Sequence, residues 1–128
     1  MPITQIEVKR SWPAEQQQQL IDATHTAMVE ALKVPEHDKL IRFIEYRPEH
    51  FITPPGTSDN YTLVEISLFL RRSLDAKRKL YQGIITRFGA LGISPNDIRV
   101  VLYESPMDNW GIRGGVPASE VDLGFKVN

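Results

Sequence analysis

The sequence predicts an α/β (α+β) domain made of a duplicated β-α-β unit, in which four strands form a mixed sheet with both helices on one face. Three observations carry this prediction. Two stretches with helical periodicity alternate with four short β-rich runs. The triplet Lys9-Arg10-Ser11, which ends the first strand, is echoed by Arg71-Arg72-Ser73 at the end of the third. The connection Val34-Pro35-Glu36-His37-Asp38 is echoed by Ile93-Ser94-Pro95-Asn96-Asp97: each has a branched residue, a proline turn and an aspartate before a strand. Glu45 and Glu104 fall at matching places in those strands. One half spans residues 2–46 and the other 61–104, with a loop between them and a tail at 105–128. The 128 residues suffice for one domain with its own core.

The first strand covers residues 3–8, where Ile6 and Val8 alternate with Gln5 and Glu7. Pro2 is tolerated just before it, because the N–H it lacks lies outside the ladder. The strand is expected to begin directly at residue 2. Loss of Met1 would then leave Pro2 with a secondary amine. Ser11 is the expected cap of the first helix, with Pro13 in its first turn. Leu20, Ala23, Thr24, Ala27, Met28, Ala31 and Leu32 mark its apolar stripe over roughly residues 13–33. Pro35 stops it. Leu40 to Tyr46 reads as the second strand. Residues 47–60, with Pro48, Pro54, Pro55 and Gly56, read as a loop.

Tyr61 to Leu70 is a third strand, apolar enough to be covered on both faces, as in a parallel arrangement. Ser73 is the expected cap of the second helix, with Asp75 in its first turn. Ala76, Leu80, Ile84, Phe88 and Leu91 form that helix's apolar stripe, and Gly89 and Gly92 close it. Ile98 to Tyr103 is the fourth strand. Val121 to Val127 alternates like a short final strand, so the tail is expected to add a short C-terminal strand or hairpin. A sheet with helices on one face only leaves the second face bare, and Phe43, Phe69 and Tyr103 lie among its strands. Self-association is the natural cover.

Composition excludes several function classes. Fifteen Lys and Arg balance sixteen Asp and Glu, so no global field calls for nucleic acid or an anionic membrane. The absence of cysteine removes thiol nucleophiles, disulfides and thiolate metal sites. No apolar run approaches the ~20 residues of a membrane span, and no signal peptide is evident, so a cytoplasmic protein is expected. His25, His37 and His50 are not spaced as metal ligands, and His25 reads as a structural histidine on an apolar helix. No metal site is expected.

The chemistry-bearing candidates cluster at strand ends. Pro2 is either a plain strand start or a catalytic amine; modest desolvation or nearby cations would leave such an amine neutral near pH 7. Arg71 and Arg72 supply the cations, and side-chain alternation lets only one of them share the face of Pro2. Asp38 is either a turn-stabilising carboxylate or a reactive one. Trp110 and Arg113 sit in a glycine-rich loop, as interface anchor or as pocket wall and carboxylate clamp.

Met-Pro opening a strand, the duplicated unit, Asp38 after the Pro35 turn and the Trp110-Gly111 loop resemble the tautomerase superfamily. The likeness extends to its long-chain branch, typified by malonate semialdehyde decarboxylase, and runs through residues 22–31, Arg47-Pro48 and residues 92–97. The resemblance implies a homotrimer and a catalytic Pro2 after Met1 removal, with no cofactor. It also implies a role for Asp38 in decarboxylation, and for Arg72 as one of two carboxylate-binding arginines. The second of those arginines is matched by Leu70, with Arg71 in the intervening place. The resemblance therefore favours keto-enol tautomerisation of small 2-oxo or enol carboxylates, with Pro2 as proton shuttle, Arg72 helped by Arg71 or Arg113, and Trp110 as wall. Decarboxylation or hydration through Asp38, and a non-catalytic trimeric binding protein, are the other readings.

Overall fold

A computed structural model describes residues 2–124. Strand β1 (Ile3–Val8) leads to helix α1 (Ala14–Leu32) and strand β2 (Ile41–Glu45); strand β3 (Thr62–Phe69) leads to helix α2 (Leu74–Ala90) and strand β4 (Ile98–Ser105). The sheet order is β2-β1-β3-β4. Each β-α-β half is a parallel pair, Thr4 opposite Ile41 and Thr62 opposite Ile98. The halves join along an antiparallel seam in which Thr4 faces Ile66.

Alternation sorts the strand residues into two layers. Thr4, Ile6 and Val8 of β1 and Val64, Ile66 and Leu68 of β3 are buried beneath the helices. They meet Leu20, Met28 and Leu32 of α1 and Leu80, Ile84 and Phe88 of α2. Burying a side chain of this size is worth about 1.5–3 kcal/mol, so these positions set where the helices sit. The helices approach closely where Gly83 faces Ala27: a Cβ on Gly83 would lie 3.3 Å from the Ala27 Cβ.

Several expectations are corrected. Ser11 does not cap α1; the N-cap is Pro13, whose backbone stays extended (φ −57°, ψ 148°) and which offers no side-chain acceptor. Ser73 does cap α2, accepting from the Ala76 N–H at 3.1 Å. Strand β3 is not flanked by parallel neighbours on both sides, since β1 runs against it, and its residues 63, 65 and 67 are only half-buried. Phe43 packs toward the helical core, while Phe69 and Tyr103 lie on the other face. Residues 121–124 form no strand, and the rest of the expected final strand lies outside the described residues. A short hairpin precedes it instead, β5 (Gly111–Ile112) against β6 (Val116–Pro117). Gly114 and Gly115 turn it at positive φ (83° and 95°), where a side chain would be strained. Among the described residues, no helix is long and apolar enough to cross a membrane.

Candidate active site

The antiparallel seam brings the start of β1 to the end of β3. Ile3 pairs with Ser67, so Pro2 lies across from Leu68, which in turn pairs with Glu104 of β4. Pro2 is buried. Helix α1 returns toward this same end: the Thr4 hydroxyl donates to the Met28 sulfur at 3.4 Å, and Leu32 lies one turn further along.

Arg72 reaches that helix end. The strand stops at Phe69, and Arg71 then adopts a left-handed backbone (φ 84°), uncommon outside glycine. This turn, rather than strand alternation, decides between the two arginines. Arg71 stays exposed and has no hydrogen bond or ion pair among the described residues, whereas Arg72 is 6 % exposed and its Nη1 donates to the Leu32 carbonyl at 2.6 Å. That carbonyl sits at the negative end of α1, where a cation is favoured. The Arg72 Nε is buried without a hydrogen-bond partner among the described residues. Burial lowers the guanidinium's proton affinity, and the negative charge of Glu104 partly restores it. Glu104 itself pairs with Lys77 of α2 at 2.5 Å. A buried cation with an unfilled donor is a ready binder of carboxylate.

Asp38 approaches from β2. Because Thr4 pairs with Ile41 and its N–H donates to the Leu40 carbonyl at 2.9 Å, the turn carrying Asp38 lies at the Pro2 end of the sheet. Asp38 is half-buried, and its N–H closes the turn on the Pro35 carbonyl. His25 braces this turn, its Nε2 donating to the Glu36 carbonyl at 2.8 Å. Asp97, the repeat counterpart of Asp38, accepts from the Ser58 N–H and hydroxyl at 2.7 and 2.6 Å and so holds the inter-half loop.

Trp110 lies at the same end but on the opposite face. Its ring meets Phe69 edge-on at 4.9 Å, and its Nε1 donates to the Ser105 hydroxyl at 2.8 Å. Arg113 is not brought to the cluster. It occupies the exposed tip of the β5–β6 hairpin (φ 48°) and donates to the Asp122 carbonyl at 3.1 Å. Glu104 and Lys77 were not singled out from the sequence as parts of this site. The matching of Glu45 with Glu104 between the halves was the available signal.

Comparison with known proteins places this arrangement. A family model described as tautomerase enzyme matches residues 38–113, more than half of the chain, and a second model of the same description matches residues 2–56. The chain belongs to the tautomerase family. It is 25 % identical over 121 residues to a probable tautomerase, YusQ, of Bacillus subtilis (strain 168), covering 90 % of this chain and 95 % of that one. A malonate semialdehyde decarboxylase superposes with a TM-score of 0.80 at 27 % identity, over 88 % of this chain and 92 % of its own. Native fused 4-OT shares the fold (TM-score 0.83, 19 % identity, 96 % and 99 % covered). The protein is thus a tautomerase-superfamily enzyme. Among its described residues, no group of three or more His, Asp or Glu is placed to hold a metal.

This tautomerase chain also carries a polar row across its uncovered sheet face. Tyr46 donates to Glu7, Glu7 and Glu65 hydrogen-bond to each other, and Tyr103 donates to Glu65 at 2.7 Å. Neither carboxyl has a cation partner among the described residues, so each disfavours ionisation of the other. Burial first, then the bond to Glu65, raises the Glu7 carboxyl above the ordinary range, while Tyr46 opposes the rise. The bonds from Glu7 and then Tyr103 hold Glu65 below it. The Glu7 contribution to stability is therefore present below the ordinary glutamate range and lost as pH rises through its raised value. The Glu65 contribution is present above that range and lost as pH falls through its depressed value. Glu7→Gln keeps a donor to Glu65 without the titration. Its melting temperature is expected to exceed wild type by about 2–5 °C at pH 8 and to converge with it near pH 4. A difference that does not change with pH refutes the raised Glu7 carboxyl.

Proposed function

We propose that this enzyme ketonises small enol carboxylates, and tautomerises 2-oxo carboxylates in reverse, with the Pro2 amine as the proton shuttle. One observation carries the reading: buried Arg72, whose Nε has no hydrogen-bond partner among the described residues, lies at the sheet end where β1 begins. Removal of Met1 exposes the Pro2 amine. Burial and the positive charge of Arg72 both disfavour its ammonium form, which leaves a neutral base. The substrate carboxylate fills the free face of the Arg72 fork. The Pro2 nitrogen takes the enol hydroxyl proton as the carbonyl forms, and the resulting ammonium returns that proton to the carbon. Arg72 also stabilises negative charge spreading from the enolate. Ketonisation of phenylenolpyruvate, followed by loss of enol absorbance, tests the activity. Covalent labelling of Pro2 by 3-bromopropiolate tests for a nucleophilic amine.

The same fold supports assembly as a homotrimer. A solved structure described as a fused 4-OT wild type symmetric trimer shares the fold at a TM-score of 0.81. The uncovered sheet face here leaves Tyr103 51 % exposed, and three copies packed through these faces would cover it. The expected homotrimer is checked by analytical ultracentrifugation.

A second reading, decarboxylation or hydration of a short 3-oxo acid, is favoured by the position of Asp38 at the Pro2 end and by the likeness to malonate semialdehyde decarboxylase. In that chemistry Pro2 acts as a cationic acid and Asp38 activates water or orients the substrate. Asp38→Asn is expected to abolish turnover of malonate semialdehyde while lowering phenylenolpyruvate ketonisation by less than about tenfold, the scale of one lost neutral hydrogen bond. Equal loss of both activities assigns Asp38 to the shared proton path instead.

A further inference from the structure

The two basic triplets of the repeat have been put to different uses. In the second half, Arg72 is drawn inside onto Leu32, and Ser73 caps its helix. In the first half neither task is done. Helix α1 starts two residues later relative to its serine, so Ser11 is exposed and makes no hydrogen bond. Lys9 and Arg10 instead line an open cleft of about 360 Å³ with Ser11, Tyr46 and Arg47, at the opposite end of the sheet from Pro2. That volume suits a small organic ion.

Lys9 and Arg10 are held in place by uncharged groups. The Lys9 ammonium donates to the Thr53 hydroxyl at 3.1 Å. The Arg10 Nη1 donates to the Asn60 side-chain carbonyl at 3.0 Å, and its guanidinium lies 4.1 Å above the Trp12 ring. All these partners are uncharged, and both cations keep further N–H groups unused. Arg47 has only a loose contact with Glu49 at 3.8 Å, with both side chains exposed. Glu45 and Asp59 also line the cleft; both are exposed, and among the described residues neither pairs with Lys9 or Arg10. Stacking on Trp12 and the bond to Asn60 fix the Arg10 plane in advance, which lowers the entropy cost of binding.

We propose that this cleft is a second anion site, which takes a small carboxylate between the Lys9 ammonium and the Arg10 guanidinium. It stands independently of the reaction assigned to Pro2. Because Thr53 and Asn60 belong to the loop joining the halves, a bound anion would share its donors with the segment that links them.

Titration of the isotopically labelled protein with pyruvate, followed by amide NMR, tests this. Saturable shifts are expected at Ser11, Tyr46 and Arg47, with a dissociation constant distinct from that at the Pro2 end. Lys9→Gln combined with Arg10→Gln is expected to weaken binding here at least tenfold and to leave phenylenolpyruvate turnover unchanged. If the Arg10 change disturbs folding through Trp12, Lys9→Gln with Arg47→Gln provides the same comparison. Amides at this end that do not shift, or that shift equally in the variants, overturn the proposal. So does loss of the oligomer in the variants, which would make the cleft a contact between copies of the chain.

Discussion

Replacing Pro2 with alanine is expected to lower phenylenolpyruvate ketonisation by about 10²–10⁴-fold, the usual contribution of a positioned acid–base group. Met1 is removed ahead of alanine as it is ahead of proline, so an amine is still present. What is lost is direction. The pyrrolidine ring fixes the backbone torsion at residue 2, and buried Pro2 therefore points its lone pair along one line. A terminal alanine rotates freely and carries more N–H groups to solvate. The decisive comparison uses chains shown by mass spectrometry to begin at residue 2, because an N-terminal Met1 converts the amine into an amide with no basic lone pair. Equal rates for wild type and Pro2→Ala sink the amine mechanism. The melting temperature should barely move, since the ladder begins at Ile3.

Arg72→Gln is the second large effect. Removing one partner of a buried charged pair typically costs about 2–5 kcal/mol, so kcat/KM should fall by about 10²–10³-fold. Stability should change far less. The variant loses the 2.6 Å bond to the Leu32 carbonyl but no longer buries a cation with an unfilled Nε, and such terms tend to cancel. The methyl ester of phenylenolpyruvate separates recognition from architecture. If Arg72 binds the carboxylate, the variant should lose at least tenfold more activity on the acid than on the neutral ester, where only its effect on the enolate and on Pro2 is lost. An equal loss on acid and ester would mean that Arg72 does not bind the carboxylate.

Much of this molecule could be read from residue order, because its regular elements are amphipathic. The alternation in residues 3–8 and the stripe from Leu20 to Leu32 each fit one period, and the structure places these elements within a residue or two of expectation. Ser73 was readable as a cap because the helix follows it directly. Ser11 misled because Trp12 and the extended Pro13 intervene before α1 begins. A short strand or hairpin was expected in the tail, but the β5–β6 hairpin could not be placed because two-residue strands carry no period. At the candidate site, Pro2 and Arg72 could be named, but the positive φ of Arg71 that turns Arg72 inward depends on tertiary packing. The Glu7–Glu65 row was invisible for a different reason: it depends on the register of two strands more than fifty residues apart.

That register also bears on how the chain reaches its folded form. Thr4 finds Ile41, and Thr62 finds Ile98, across separations of 37 and 36 residues with a helix in between. The seam must instead join Ile3 to Ser67 and Val8 to Thr62, separations of 64 and 54 residues. Contacts distant in sequence form late, because loop-closure entropy is spent before they stabilise anything. Each half can thus gather its own helix and strand pair early, with β1 and β3 left as open edges. Joining those edges is the step that creates the end of the sheet that carries both Pro2 and Arg72, so the proposed reactive end would be the last part of the molecule to exist.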